Sequence, residues 1–125
     1  MLAVQEANKL LTDAKIPQID GIYSFNIPAE MVTNVTDTFV LITDANLNTD
    51  TFGSNDFYSV NRMIEIQIYF ELHPDFDPEQ LLIRVMKLFK HNGWLIGEER
   101  GFNLDIDTSQ LYVTFYVKKE EKTLN

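Results

Sequence analysis

Two sets of oxygen-bearing side chains have the types and spacing for chemistry. Asp44, Asn46 and Asn48 reproduce the first three ligand positions of a calcium loop, where alternate oxygen donors converge on one hard cation. Such a loop also needs glycine at its sixth position and a bidentate glutamate at its twelfth. Here those positions hold Thr49 and Asn55, so an Asx-rich turn is the better reading. The pairs Asp75/Asp77 and Asp105/Asp107 are each spaced two apart. On a strand that spacing sets both carboxylates on one face, as an acid–base pair or a metal would require. Local roles account for both pairs: Asp77 stands where a helix N-cap belongs, and Asp107 opens an Asp-Thr-Ser turn.

The two histidines, His73 and His91, have no Cys, Asp, Glu or His partner at a metal-ligand spacing. No nucleophile-elbow serine, phosphate-cradling glycine loop or dinucleotide fingerprint occurs. The chain has no cysteine, which removes disulfides, thiolate metal sites and a cysteine nucleophile, and fits folding in a reducing cytoplasm. No catalytic residue, cofactor site or metal site is therefore expected, and the chain is not expected to be an enzyme. The aromatics are more informative. Phe52, Phe57 and Tyr58, with Asn55 and Asp56 beside them, lie in a polar stretch from residue 44 to 59. Aromatic side chains are enriched at protein interfaces, so these five residues are the candidate interface. The competing reading is that the rings fold back to cap a sheet edge.

The elements that must position them follow from periodicity. Residues 2–14 carry Ala3, Ala7, Leu10, Leu11 and Ala14 on one side, an amphipathic helix ended by Pro17. Residues 22–27 read as a strand stopped by Pro28, and 38–43 as an apolar central strand. Residues 44–59 read as a long loop with extended arms. Ile64, Ile66, Ile68, Phe70 and Leu72 alternate with Glu65, Gln67, Tyr69 and Glu71, the period of a strand with one apolar face. A helix follows, with Asp77 as N-cap, Pro78 at its first position, Gln80 as capping-box partner and Phe76 with Leu81 as a hydrophobic staple. Asn92 and Gly93 end it. Trp94 is read as core, and two further strands, up to 106 and over 111–117, form a hairpin. The fold class is α+β: a mostly antiparallel sheet of about five strands with two helices on one face, in the order α-β-β-β-α-β-β. Residues 1–118 form one domain, and 119–125 a charged tail expected to fray.

Nineteen acidic against ten basic residues give a net charge of −9. Wrapping of DNA or RNA, which needs a basic face, is disfavoured. No apolar run approaches the ~18 residues of a membrane span, and the first residues lack the basic start and apolar stretch of a signal peptide.

Four stretches resemble a known family: residues 22–28, 51–57, 86–94 and 107–111. The resemblance runs from about Leu2 to Val117 and is to short proteins from the tail-assembly modules of long-tailed phages and prophages of lactic-acid bacteria. Those proteins look like tail terminators. The resemblance implies a small α+β sheet with two helices and a ring, typically a hexamer, at the head-proximal end of the tail tube. Its partners would be copies of itself, the tail tube protein and the head-to-tail connector, with DNA passing through unbound and no membrane involved. It implies a place in the virion, after assembly in the host bacterial cytoplasm. Part of the acidic excess would line the channel and repel phosphates. The alternatives are a head-completion or connector protein of the same neck, and a small-molecule-binding α+β domain.

Overall fold

The alternation from Ile64 to Phe70 produces the central strand of a five-stranded sheet. The computed structural model describes residues 1–53 and 56–122, with side chains described for 1–45 and 61–119. In chain order the elements are α1 (Ala3–Ala14), β1 (Gly21–Ser24), a 3-10 turn (Ala29–Met31), β2 (Phe39–Gly53), β3 (Asp56–Tyr69), α2 (Pro78–His91), β4 (Leu95–Leu104) and β5 (Leu111–Lys122). The expected α+β order holds. The strands lie side by side as β1-β2-β3-β5-β4. Only β1 and β2 are parallel; the other three pairings are antiparallel.

Ile64, Ile66, Ile68 and Phe70 are fully buried. Their neighbours in register are apolar too: Ile66 lies between Ile42 and Phe115, and Ile68 between Val40 and Val113. Both helices cover this face. Ala3, Val4, Ala7 and Leu11 of α1 join Leu81, Leu82, Val85 and Phe89 of α2 in one cluster with the strand residues and Trp94. The alanines of α1 leave room for close approach to the sheet.

The ends of α2 account for its placement. The Asp77 carboxylate accepts from the Glu79 N–H at 3.0 Å, satisfying one free donor of the first turn. The expected capping box does not form: the Gln80 side chain is exposed and makes no hydrogen bond among the described residues, so Asp77 caps alone. Phe76 does pack against the core as a staple would. At the other end, the Trp94 N–H donates to the Phe89 carbonyl at 3.1 Å and the Gly93 N–H to the Lys90 carbonyl at 3.4 Å. With Gly93 at φ 89°, this is a Schellman end. The rings of Phe89 and Trp94 meet edge-on at 5.7 Å, and Trp94 is in the core as expected.

Three expectations need correction. Residues 44–53 and 56–59 are not a long loop but paired strand, in register as far as Gly53↔Asp56. Antiparallel pairing satisfies the backbone groups of Asn, Asp and Thr as well as those of apolar residues. Asp44, Asn46 and Asn48 therefore lie along β2, and neither a calcium loop nor an Asx turn exists there; a bulge falls between Asp44 and Asn46 instead. β5 continues to Lys122, pairing residues 119–122 with 59–62, so the expected tail begins as strand. β1 stops at Ser24, because Phe25 turns to φ 71°.

Ile66→Ala is expected to destabilise the fold by about 2–5 kcal/mol. Gln67→Ala, on the opposite face of β3, should cost about 1 kcal/mol or less. Urea unfolding of the two variants measures the difference, and equal losses would contradict a one-sided core. Gly93→Ala meets no atom within 4 Å, so only backbone strain of roughly 1–2 kcal/mol should appear in the same measurement.

Candidate functional site

The side chains that β2, β3 and β5 turn away from the helices form the second face of the sheet. Counting from the buried isoleucines, these are the odd-numbered positions: Phe39, Leu41 and Thr43 on β2, Glu65, Gln67 and Tyr69 on β3. β5 contributes its even positions, Tyr112, Thr114 and Tyr116, because its register places Tyr112 opposite Tyr69 and Thr114 opposite Gln67. The face has two parts, one aromatic and one charged.

The aromatic part is a row crossing four strands. Tyr23 meets Phe39 edge-on at 5.9 Å, Phe39 stacks on Tyr69 at 5.0 Å, and Tyr69 stacks on Tyr112 at 5.3 Å. Cross-strand aromatic pairs of this kind stabilise sheet register. Phe39 is buried, whereas the three tyrosines are half-buried. Burial foremost, and then the negative charge of Asp105, raises the Tyr69 hydroxyl above its ordinary pKa.

Toward the far end of the face, Asp44, Ala45, Met63, Glu65, Glu98, Arg100 and Tyr116 line an open depression of 450 Å³. The Tyr116 hydroxyl donates to Glu65 Oε2 at 3.2 Å, and the Arg100 guanidinium lies over its ring at 5.1 Å. Burial and the neighbouring Glu65 carboxylate raise the Tyr116 pKa, with Arg100 opposing them. Three carboxylates against one guanidinium leave the depression acidic. Such a surface repels anions and offers hydroxyls and carboxylates to a partner.

On the helix side, the level of Arg62 marks where the apolar core ends. Arg62 pairs with Glu6 of α1 and donates to the Met1 carbonyl at 3.1 Å. Lys119 of β5 reaches the same Glu6 at 4.0 Å and lies over the Trp94 ring at 5.3 Å. Both helices terminate at this level, α1 at its first residue and α2 at the Asn92–Trp94 turn. The paired backbone of β2 and β3 runs on past it.

The candidate interface residues Phe52, Asp56, Phe57 and Tyr58 lie on this extension. Phe52 is opposite Phe57 in register, and Gly53 opposite Asp56; Asn55 lies outside the described residues. The Asp105/Asp107 pair makes a turn, but Asp105 is its acceptor: its Oδ1 takes the Asp107 N–H at 2.8 Å and the Thr108 N–H at 3.4 Å. His73 and His91 are exposed, and among the described residues no three His, Asp or Glu groups converge as metal ligands would. The aromatic row was not anticipated, although the tyrosines at the polar phase of β3 and β5 are its signal. The model of one protein family, described as protein of unknown function (DUF806), matches residues 2–122. The chain belongs to that family. A search of curated proteins finds no match. In this DUF806 protein, then, the features with functional potential are an open sheet face and a strand extension.

A spectrophotometric titration should place the Tyr69 phenolate above the ordinary 10.0, and Tyr69→Phe should shrink the late transition by one tyrosine, leaving that of Tyr116. A pKa raised on folding contributes stability that is complete below the unfolded value and is lost as pH rises through the folded one. The wild type should therefore lose stability above pH 10, and Tyr69→Phe should lose less.

Proposed function

We propose that this protein is a structural component of a phage tail, a tail terminator that forms a ring at the head-proximal end of the tail tube and joins it to the head connector. It acts by fitting against copies of itself and a cylindrical partner, without making or breaking bonds. The observation that carries this is the extension of β2 and β3 beyond both helices. From Arg62 to the pairing of Gly53 with Asp56, the sheet continues for roughly 20 Å at about 3.3 Å per residue. A sheet needs another layer against at least one face, and here α1 and α2 have already ended. The sequence places Phe52, Phe57, Tyr58 and Val60 on that extension, residue types that suit burial against a second subunit or the tube.

The acidic balance fits the same role. With a net charge of −9 and an acidic depression on the open sheet face, a ring lumen lined by this surface would repel DNA phosphates and let the genome slide. The likeness of residues 22–28, 51–57, 86–94 and 107–111 to tail-module proteins suggests this reading.

The test combines purified protein with tail tube protein, read by light scattering and electron microscopy. Wild type should form rings on tube ends, and Phe57→Ala with Tyr58→Ala should weaken capping at least tenfold with little change in thermal unfolding. Unchanged capping by that variant would remove the extension from the interface. Binding to the connector but not to the tube would move the protein to a head-completion station. A neutral or basic bore in the ring would refute the acidic channel.

A further inference from the structure

Two surfaces of this chain, on opposite layers, complement each other. The first is the β4–β5 turn. Its tip, Ile106, is 96% exposed, and Leu104 beside it 65%. Single exposed aliphatics are common on soluble proteins; what sets Ile106 apart is how firmly it is held and what flanks it. Besides the two N–H groups bound by its carboxylate, Asp105 donates its own N–H to the Gln110 carbonyl at 2.8 Å and accepts from the Ser109 N–H at 2.8 Å. The buried Gln110 side chain anchors the turn to the Phe70 carbonyl at 3.3 Å. A rigid turn thus presents an isoleucine between two aspartates, and among the described residues the Asp107 carboxylate has no hydrogen-bond or ion-pair partner.

The second surface is a groove of 490 Å³ between the C-terminal end of α1 and the outer side of α2. Ala14, Ile16, Ile83 and Leu88 supply its apolar wall, and Arg84, Lys87 and His91 its rim. In a chain of net charge −9, this is a locally cationic surface. Among the described residues neither Arg84 nor Lys87 is in an ion pair, as holds also for Lys15, Lys90 and Lys118, whereas Lys9, Arg62, Arg100 and Lys119 each reach a carboxylate.

We infer that the Asp105-Ile106-Asp107 turn of one copy seats in the α1–α2 groove of the next, Ile106 against Ile83 and Leu88 and the aspartates against Arg84 and Lys87. The occupant is a second copy of this chain, because the same molecule carries both the acid-flanked apolar knob and the base-rimmed apolar groove. Knob and groove are different surfaces, so the contact is heterologous and generates a closed ring or an open chain according to its rotation. The inference rests on the ring proposed above and names one of its subunit contacts. Edge-to-edge pairing is a weaker route. β4 has two register shifts and carries Glu98, Glu99 and Arg100, and β1 is four residues long, both features that blunt a sheet edge.

The lack of native cysteine makes a direct test available. A chain carrying Ile106→Cys and Ile83→Cys should give a ladder of covalent multimers on mild oxidation, and the two single variants mixed should give a heterodimer. Ile106→Asp, and separately Arg84→Glu with Lys87→Glu, should weaken self-association at least tenfold by sedimentation while circular dichroism stays unchanged. Mixing those two variants should restore dimers that grow no further, since only one intact knob and one intact groove remain. If wild type forms rings and Ile106→Asp forms them equally well, the contact is overturned and the ring survives. If wild type forms no multimer even beside tube protein, the ring is lost, and the doubly substituted chain decides the contact alone: no crosslinking above that of an Ile106→Cys and Asn26→Cys control, Asn26 being exposed and outside the groove, would overturn it.

Discussion

A strand whose two faces face different environments governs this molecule. β3 has neighbours on both edges, so its side chains can go only toward the helices or away from them. A slip of one residue would send Ile64, Ile66, Ile68 and Phe70 into water and draw Glu65 and Gln67 under the helices. Removing four large apolar side chains from burial outweighs any gain from re-pairing polar ones. The register of β2, β3 and β5 is therefore held by the core, and the positions of Tyr69, Tyr112 and Tyr116 follow by counting. The aromatic row is a consequence of hydrophobic burial on the other side of the same backbone.

The same counting explains where the helical layer stops. Along the core face of β3 the sequence changes from isoleucine to Arg62, and a guanidinium at that depth needs a carboxylate. Glu6 supplies it from α1 and also approaches Lys119 of β5. The start of α1 is thereby tied to two strands at the level where the described core cluster ends. Beyond it, strand pairing persists. Three strands continue in register to Ser59↔Lys122 and Asp50↔Ser59, and in the proposed ring a neighbouring subunit or the tube would supply the covering layer.

Most of the fold was legible because its strongest signals are periodic. The alternation in β3, the Asp77–Pro78 helix start and the Asn92–Gly93 stop each have a local physical cause; the helix ends stand as expected, and the alternation holds from Ile64 to Phe70, while Leu72 is exposed beyond the strand. The failures share a cause as well. Asp, Asn and Thr between 44 and 59 have the side-chain chemistry of turns, but a strand needs only backbone partners, and those come from residues distant in sequence. The charged residues 119–122 look like a frayed end for the same reason: what makes them strand is pairing with residues 59–62, distant in sequence. The Gln80 capping box failed more locally, since the Asp77 carboxylate is satisfied by the Glu79 N–H. The knob at Ile106 was invisible because alternation made it one more strand residue; only the turn closed by Asp105 shows that it points at solvent.

Acidic proteins ordinarily resist self-association, so a ring of such chains needs a device that selects one mutual orientation. Charges at a subunit contact act mainly on orientation and approach, while apolar contact supplies the affinity. In the proposed assembly the two are combined at one place. Ile106 provides the apolar anchor, and the flanking aspartates meet cations that the rest of the molecule leaves on the outer side of α2. Other approaches bring carboxylates toward carboxylates, as when two open sheet faces with Glu65 and Glu98 meet. The repulsion is short-ranged, about 8 Å at physiological ionic strength, which suffices to disfavour wrong contacts without opposing the right one. An excess of negative charge and a specific self-contact are then compatible, because Arg84 and Lys87, in no ion pair among the described residues, stand where the next subunit would arrive.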